Sequence, residues 1–126
     1  WIMIRDLIVK FLREEGYVPN VDERGNVTFK ADGRFFVYFY DQNDEEFFQL
    51  GMPSMADVTP ENREMMLEIC NEMNYGIKVV KTMIIGQSVW GVFEGIFDST
   101  PEFGEIIPRA IKMLIDNQQS FFEKID

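Results

Sequence analysis

The stretch of sequence that decides the fold is NVTFKADGRFFVYFYD, residues 26–41. It contains two runs rich in β-branched and aromatic residues, which flank the pair Asp32-Gly33. Asp-Gly is favoured in two-residue β-hairpin turns, because such turns need positive φ angles that glycine adopts without steric cost. The stretch therefore predicts antiparallel strands at 26–31 and 34–41, with a structural role for Gly33 in the turn between them.

The order of the predicted elements defines the fold class. Outward from the hairpin, a hydrophobic period of 3.6 marks the helices and a period of two marks the strands. In chain order these are a helix at about 3–15, strands at 17–22, 26–31, 34–41 and 46–51, a helix from Thr59 to about Met73, strands at 77–85 and 88–97, and a helix that begins near Thr100. The order α-β-β-β-β-α-β-β-α predicts a single α+β domain over residues 1–126, with a mainly antiparallel sheet and the helices packed on one face.

Proline and threonine positions refine these boundaries. The segment 52–58 is predicted to be a loop, after which Thr59 is expected to cap the second helix with Pro60 in its first turn. Pro108 lies inside the last predicted helix. Because its ring meets the carbonyl of the fourth residue before it, we expect a kink or a restart of the helix there.

The composition excludes several classes of function. The chain has 22 acidic and 12 basic residues, a net charge of −10, no histidine and one cysteine. Chemistry that needs imidazole is therefore excluded, as are an internal disulfide and a cluster of thiolates. An acidic chain without a basic run lacks the positive surface that binds nucleic acids or anionic membranes, so neither is an expected partner.

The sequence also bears on location. No apolar run approaches the roughly 20 residues that span a bilayer, and the single thiol fits a reducing compartment, so a cytoplasmic location is expected. The chain begins with Trp1 rather than Met. We therefore expect native N-terminal residues, and with them any targeting segment, to have been removed.

An acidic run follows the hairpin. Asp41, Asn43 and Glu45 have the spacing of the first ligands in a calcium-binding loop. Such a loop then needs a glycine and a bidentate glutamate at positions where this chain has Glu46 and Met52. A solvated loop is therefore predicted, and neither a metal nor another cofactor is expected.

Two further side chains could carry chemistry. Cys70 lies on the apolar side of the second helix, without a base or cation to activate its thiol, and is predicted to be a buried core residue. Glu94 is the one acid in an apolar strand, where Lys78 or Lys81 would pair with it across the hairpin. No second acid can be placed against Glu94, so no catalytic residue is assigned and the chain is not predicted to be an enzyme.

Two asparagines mark the end of the second helix. Asn71 and Asn74 are placed where asparagine is neutral or unfavourable unless its side chain bonds to backbone. We expect them to bond to the following turn or to a facing strand, a structural role that we favour over ligand binding.

These patterns together resemble the YbjN family, a group of candidate bacterial sensory transduction regulators. The resemblance rests on Gly16-Tyr17 after the first helix, on the hairpin Asp32-Gly33-Arg34, and on residues 70–74, Cys-Asn-Glu-Met-Asn. It covers nearly the whole chain. It implies a fold like that of type III secretion chaperones, which are small, acidic, often dimeric proteins that bind other polypeptides, and it supplies no catalytic residue.

The predicted function is therefore protein binding rather than catalysis, in a regulatory or chaperone-like role, with a protein partner or a second copy in a homodimer. Because the strands carry apolar residues on both faces, apolar surface beyond the core is expected to need a cover. The residues assigned to binding are Phe36, Tyr38 and Tyr40 on the second sheet face, Trp90 if it shares that face, and Met65 and Met66 on the second helix. The alternative is a sensor domain that responds to a small molecule or a metal.

Overall fold

A computed structural model describes residues 3–98 and 101–125. Within these ranges three helices and six strands follow in the predicted order, which confirms the α+β class. Their bounds are α1 Ile4–Glu14, β1 Asn20–Val21, β2 Val27–Ala31, β3 Arg34–Tyr38, β4 Phe47–Asp57, α2 Arg63–Gly76, β5 Lys81–Ile85, β6 Ser88–Ile96 and α3 Phe103–Ile125.

The six strands form one antiparallel sheet in the order β1-β2-β3-β4-β6-β5. The hairpin of β2 and β3 closes on the pair Ala31 and Arg34, and Asp32 and Gly33 have φ angles of 52° and 73°. Positive φ at both positions is the signature of the type I′ turn that Asp-Gly favours. The predicted hairpin therefore forms β2 and β3 of the sheet, and β1 and β5 are its edge strands.

The predicted loop at 52–58 is wrong, because β4 continues through Asp57. Its pairing with β6 shifts between Met52 and Ala56, and Ser54 adopts a φ of 54° in the gap. Pro53 has no N–H for the ladder. A β-bulge accommodates Pro53 and Ser54, and β4 pairs with β6 again from Ala56.

Two other boundaries differ from the prediction. Residues 77–80 lie outside β5, because Val79 has a φ of 72° and the Val80 N–H donates to the Lys78 carbonyl (2.8 Å), which is a γ-turn. The second helix begins at Arg63 rather than at Thr59. Thr59 and Asn62 instead bond reciprocally, each backbone N–H donating to the other side-chain oxygen (2.7 and 3.2 Å), and so close a turn before the helix.

The last helix runs unbroken from Phe103 to Ile125, so the restart expected at Pro108 does not occur, and the kink stays a prediction. The expected start near Thr100 falls outside the described residues.

All three helices pack on the same face of the sheet. They bury one apolar row each, represented by Ile8 and Leu12 of α1, Ile69 and Met73 of α2, and Leu114 and Phe121 of α3. The strands contribute large buried side chains to the same core, among them Val27, Phe29, Phe36, Tyr38, Phe48 and Leu50.

One polar pair is enclosed in this core. Asn117 Nδ2 of α3 donates to the hydroxyl of Thr82 in β5 (3.1 Å), and both residues are buried. Gly91 of β6, opposite Thr82, makes space for the Asn117 side chain, because a Cβ at this position would lie 3.2 Å from Asn117 Nδ2. Each of these buried polar groups has the other as its hydrogen-bond partner, and the bond holds α3 in place on β5.

Candidate functional site

The face of the sheet that is turned away from the helices carries apolar side chains outside the main core. We call it the open face. The register of the ladders and the alternation of side chains place on it Asn20, Thr28, Lys30, Phe35, Val37, Phe39, Phe47, Gln49, Gly51, Asp57, Lys81, Met83, Ile85, Ser88, Trp90, Val92, Glu94 and Ile96. Val37 and Val92 are buried yet do not belong to the main core cluster. The open face thus has a small apolar centre of its own.

An aromatic pair lies at this centre. The rings of Phe39 and Trp90 are 5.8 Å apart, and Trp90 Nε1 donates to Ser88 Oγ (2.9 Å). Between their strands lies Gly51, where a Cβ would come within 2.9 Å of the Phe39 ring. The missing side chain of Gly51 therefore lets the Phe39 ring lie flat across β4 towards Trp90.

A shallow cleft of about 330 Å³ borders the aromatic pair. One wall is apolar and consists of Val37, Phe39 and Trp90, while the turn at 22–26 forms the other. Asp22 Oδ1 accepts the backbone N–H groups of residues 24 and 26, which holds the turn in place. The cleft is therefore an apolar strip with a polar rim.

The charges on the open face nearly balance. Glu94 forms an ion pair with Lys81 across the hairpin and accepts a bond from Gln49 Nε2 (2.8 Å). The other charged strand positions on this face are Lys30 and Asp57. The turn at 22–26, which borders the cleft, adds one cation and two anions. Cations and anions on and beside the open face therefore differ by one, a small part of the net charge of −10.

The structure changes the set of binding residues on the sheet. Phe36 and Tyr38 are 0% and 1% exposed and lie in the core, beneath the helices, so their assignment to an accessible second face is wrong. Trp90 is on the open face, as the last strand allowed. Its neighbours there are Val37 of β3 and Phe39, the residue directly after β3, neither of which the sequence assigned to binding.

Tyr40 lies at the end of the hairpin and contacts the first helix rather than the open face. Its hydroxyl donates to Glu45 Oε2 (2.5 Å), and the Arg5 guanidinium is 4.7 Å above its ring. The other Glu45 oxygen accepts the N–H of Ile4 (3.1 Å). Tyr40 and Glu45 thus anchor α1 to the loop that follows β3.

Alkaline pH is expected to destabilise the fold through these tyrosines. Burial raises the pKa of the Tyr38 phenol above its ordinary value of 10.0, and the bond to Glu45 raises the pKa of Tyr40. The unfolded chain releases both protons near pH 10 while the folded chain holds them, so stability is full below about pH 10 and falls as the pH rises above it. We expect the midpoint of urea unfolding to drop between about pH 9 and about pH 11, and to drop less in Tyr38→Phe.

Tyr75→Phe is the matched control for this titration, since its ring is 94% exposed. It should follow the wild type. An equal drop in Tyr38→Phe and the wild type would contradict the assignment to Tyr38.

The outer side of α2 is a second, acidic surface. Glu64, Glu68 and Glu72 are four residues apart and line a groove with Leu67 and Asn71. Like charges at this spacing repel one another and any acidic partner. Of the two methionines assigned to binding, Met66 is buried in the core and Met65 is exposed beside this surface.

The two asparagines of α2 have different environments. Asn71 is exposed in the acidic groove, and no described residue bonds to its side chain. Asn74 reaches the edge of the sheet, where Nδ2 donates to the Thr82 carbonyl (3.0 Å) and Oδ1 accepts the Thr82 N–H (2.7 Å). The bond to a facing strand is therefore made by Asn74 alone.

The acidic run after the hairpin bonds to the protein itself. Asp41 Oδ1 accepts the Asn43 N–H (2.9 Å), and Glu45 is engaged by Tyr40 and Ile4. Among residues 3–98 and 101–125, no group of three or more acidic or cysteine side chains is arranged to hold a metal ion. Cys70 is buried, and burial raises the pKa of its thiol.

None of the helices in the described part of the chain is long and apolar enough to cross a membrane.

Comparison with known proteins bears on the fold. No protein-family model and no curated protein sequence matches the chain. The crystal structure of YbjN from E. coli, described as a candidate transcription regulator, superposes with a TM-score of 0.73 at 10% identity, over 94% of this chain and 88% of that one. An uncharacterized protein from Methanothermobacter thermautotrophicus superposes with a TM-score of 0.65 at 16% identity, over 96% of both chains. The chain therefore has a YbjN-like fold, as its sequence predicts.

Proposed function

We propose that the protein is a non-enzymatic protein-binding module with a regulatory role, and that it binds a second copy of itself through the open face. The observation that carries the proposal is the apolar strip of Val37, Phe39 and Trp90 on a face whose charges nearly balance. The proposal has three supports, which are the chemistry of the strip, its charge and its size.

The chemistry of the open face is that of an interface centre. Aromatic residues are enriched where proteins bind one another, and tryptophan and tyrosine dominate the residues whose truncation costs most affinity. Phe35 at 45% and Ile85 at 42% exposure extend the apolar area to either side of the strip. A sheet that is covered by helices on one face only commonly keeps a polar outer face, whereas the outer face of this sheet mixes polar positions with an apolar strip.

The distribution of charge over the surface favours a second copy as the partner of the open face. In a chain of net charge −10, most pairs of surfaces repel when two copies meet. The acidic row on α2 is such a surface. The open face is an apolar surface on and beside which cations and anions differ by only one, so two copies can meet there with little net repulsion.

The size of the face also suits a dimer. The six strands contain 37 residues, and each covers about 16 Å² of the sheet (about 4.8 by 3.4 Å), which gives an area on the order of 600 Å². A stable interface buries about 800 Å² of each partner, counted as accessible surface. Sheet-on-sheet packing at about 10 Å would also bring the two aromatic strips into contact.

A regulatory role agrees with the description of YbjN as a candidate transcription regulator. Because this chain is acidic, we infer that it acts on other proteins rather than on nucleic acid, within the cytoplasm. In the chaperone-like form of the proposal, an apolar client segment displaces the second copy from the same strip.

Two methionines provide a direct test by nuclear magnetic resonance. Met83 lies beside Trp90 on the open face, whereas Met65 is exposed on α2. A soluble nitroxide broadens the methyl signals of exposed methionines. We expect Met83 to become protected from the nitroxide as the protein concentration rises, because the second copy covers it, while Met65 stays broadened. Equal broadening of both methyl groups at every concentration would contradict the proposal.

A further inference from the structure

A different kind of surface is found at the edge of the sheet. β5 pairs with β6 on one side only, so the backbone groups on its other side face outward. Its sequence, Lys-Thr-Met-Ile-Ile, has a strong tendency to form strands, carries one charge and contains no proline. An exposed edge of this composition is a template on which another strand can pair.

The side chain of Asn74 occupies part of this edge. Thr82 is opposite Gly91 in β6, and its N–H and carbonyl both bond to the Asn74 amide, at 2.7 and 3.0 Å. An asparagine amide has the donor and acceptor of a peptide group. Asn74 thus takes the place that the backbone of a neighbouring strand would take beside Thr82.

The next outward pair of the edge is that of Ile84, two residues further along β5. No described residue bonds to its N–H or its carbonyl. A strand that paired with β5 would need the outward backbone groups of two residues, Thr82 and Ile84, because ladder bonds alternate along a strand. Asn74 therefore already occupies the groups of one of these two residues.

We propose that the edge of β5 is a strand-pairing surface for a second copy of the chain, and that Asn74 keeps it closed. An antiparallel pair of β5 edges centred on Met83 puts Thr82 of each copy opposite Ile84 of the other. Lys81 then lies opposite Ile85, so no like charges meet. The edge is self-complementary in this register, which makes the second copy its fitting occupant.

The γ-turn at Val79 limits the length of the edge. Its φ of 72° is rare for a β-branched residue and bends the chain just before Lys81. The exposed edge is therefore only five residues long. Short edges are one protection against pairing, and Asn74 supplies the other.

The test compares Asn74→Ala with Asn117→Ala. Both variants remove a side-chain bond to Thr82, but only the first opens the edge, since Asn117 lies on the core side. Both are made in chains that also carry Trp90→Glu, so that association through the open face does not contribute. We expect Asn74→Ala to reach at least twice the mass of one chain as the concentration rises, while Asn117→Ala stays at the mass of one chain.

Amide hydrogen exchange locates the contact. In the parent chain the Thr82 N–H should be protected and the Ile84 N–H should exchange freely. In Asn74→Ala at high concentration the exchange of Ile84 should slow by about tenfold or more. Adding Ile85→Lys should restore the single-chain mass, because the new lysine is opposite Lys81 of the other copy.

Three results would overturn the proposal: a single-chain mass for Asn74→Ala at every concentration, equal association of Asn117→Ala, or association that Ile85→Lys does not reverse. If Asn74→Ala does not fold, Asn74→Ser applies the same test, because the shorter serine side chain cannot bond to both the N–H and the carbonyl of Thr82. The open face takes no part in these measurements, so their outcome is independent of the proposed function.

Discussion

Phe48→Ala is expected to lower the free energy of unfolding by about 3–5 kcal/mol, as truncation of a buried aromatic residue does. Phe48 is 1% exposed and lies at the centre of the core, on β4. Its ring contacts those of Tyr38, Phe93 and Phe97 at 5.0–5.9 Å. Because two buried rings, those of Tyr38 and Phe97, border the site, we expect the cavity to collapse little and the cost to fall in the upper part of the range. Urea unfolding followed by circular dichroism measures it.

Phe122→Ala is the matched control, because that ring is 43% exposed on α3. It should cost less than about 1 kcal/mol. A domain of this size has a stability of about 5–15 kcal/mol, so Phe48→Leu provides a milder second variant if Phe48→Ala does not fold. Equal losses for Phe48→Ala and Phe122→Ala would contradict the placement of the core.

Trp90→Glu is expected to weaken self-association by at least about 30-fold, which corresponds to the roughly 2 kcal/mol of a central interface residue. The substitution removes the ring that contacts Phe39 and places a carboxylate in the apolar strip. In a dimer the two new carboxylates would also face each other. Since Trp90 is partly exposed, the monomer should keep its fold, with a small change in melting temperature.

Leu67→Glu is the control for Trp90→Glu. Leu67 is 48% exposed on the acidic side of α2, so the variant adds the same charge to another exposed apolar position. It should leave self-association unchanged. Equal weakening by both variants would show that net charge, rather than the open face, governs association.

The order of the elements could be predicted because its determinants are local. Asp32-Gly33 specifies a tight hairpin by backbone conformation alone, and the period of the apolar residues marks α1 and α3. Segment 52–57 was mispredicted because Pro53 and Ser54 are typical of loops. Only the long pairing of β4 with β6 on both sides of the bulge makes this segment a strand.

The assignment of residues to the two faces of the sheet could not be predicted for the opposite reason. Residues 36–39, at the end of β3 and just after it, are all apolar or aromatic, so their alternation does not show which side faces the core. Which side of the strand faces the core depends on where the helices pack, and that is a property of the tertiary structure. Gly51 is the sequence signal that could have helped, since a glycine inside a strand marks the close approach of another group.

The central claim is that the open face binds a second copy of the chain. Sedimentation equilibrium of the wild type and of Trp90→Glu over a range of concentrations tests it most directly. We predict that the wild type approaches twice the chain mass of 14.8 kDa, while Trp90→Glu remains at 14.8 kDa where the wild type is dimeric. A wild type that stays at 14.8 kDa at every concentration, or a dimer that Trp90→Glu does not weaken, would contradict the claim.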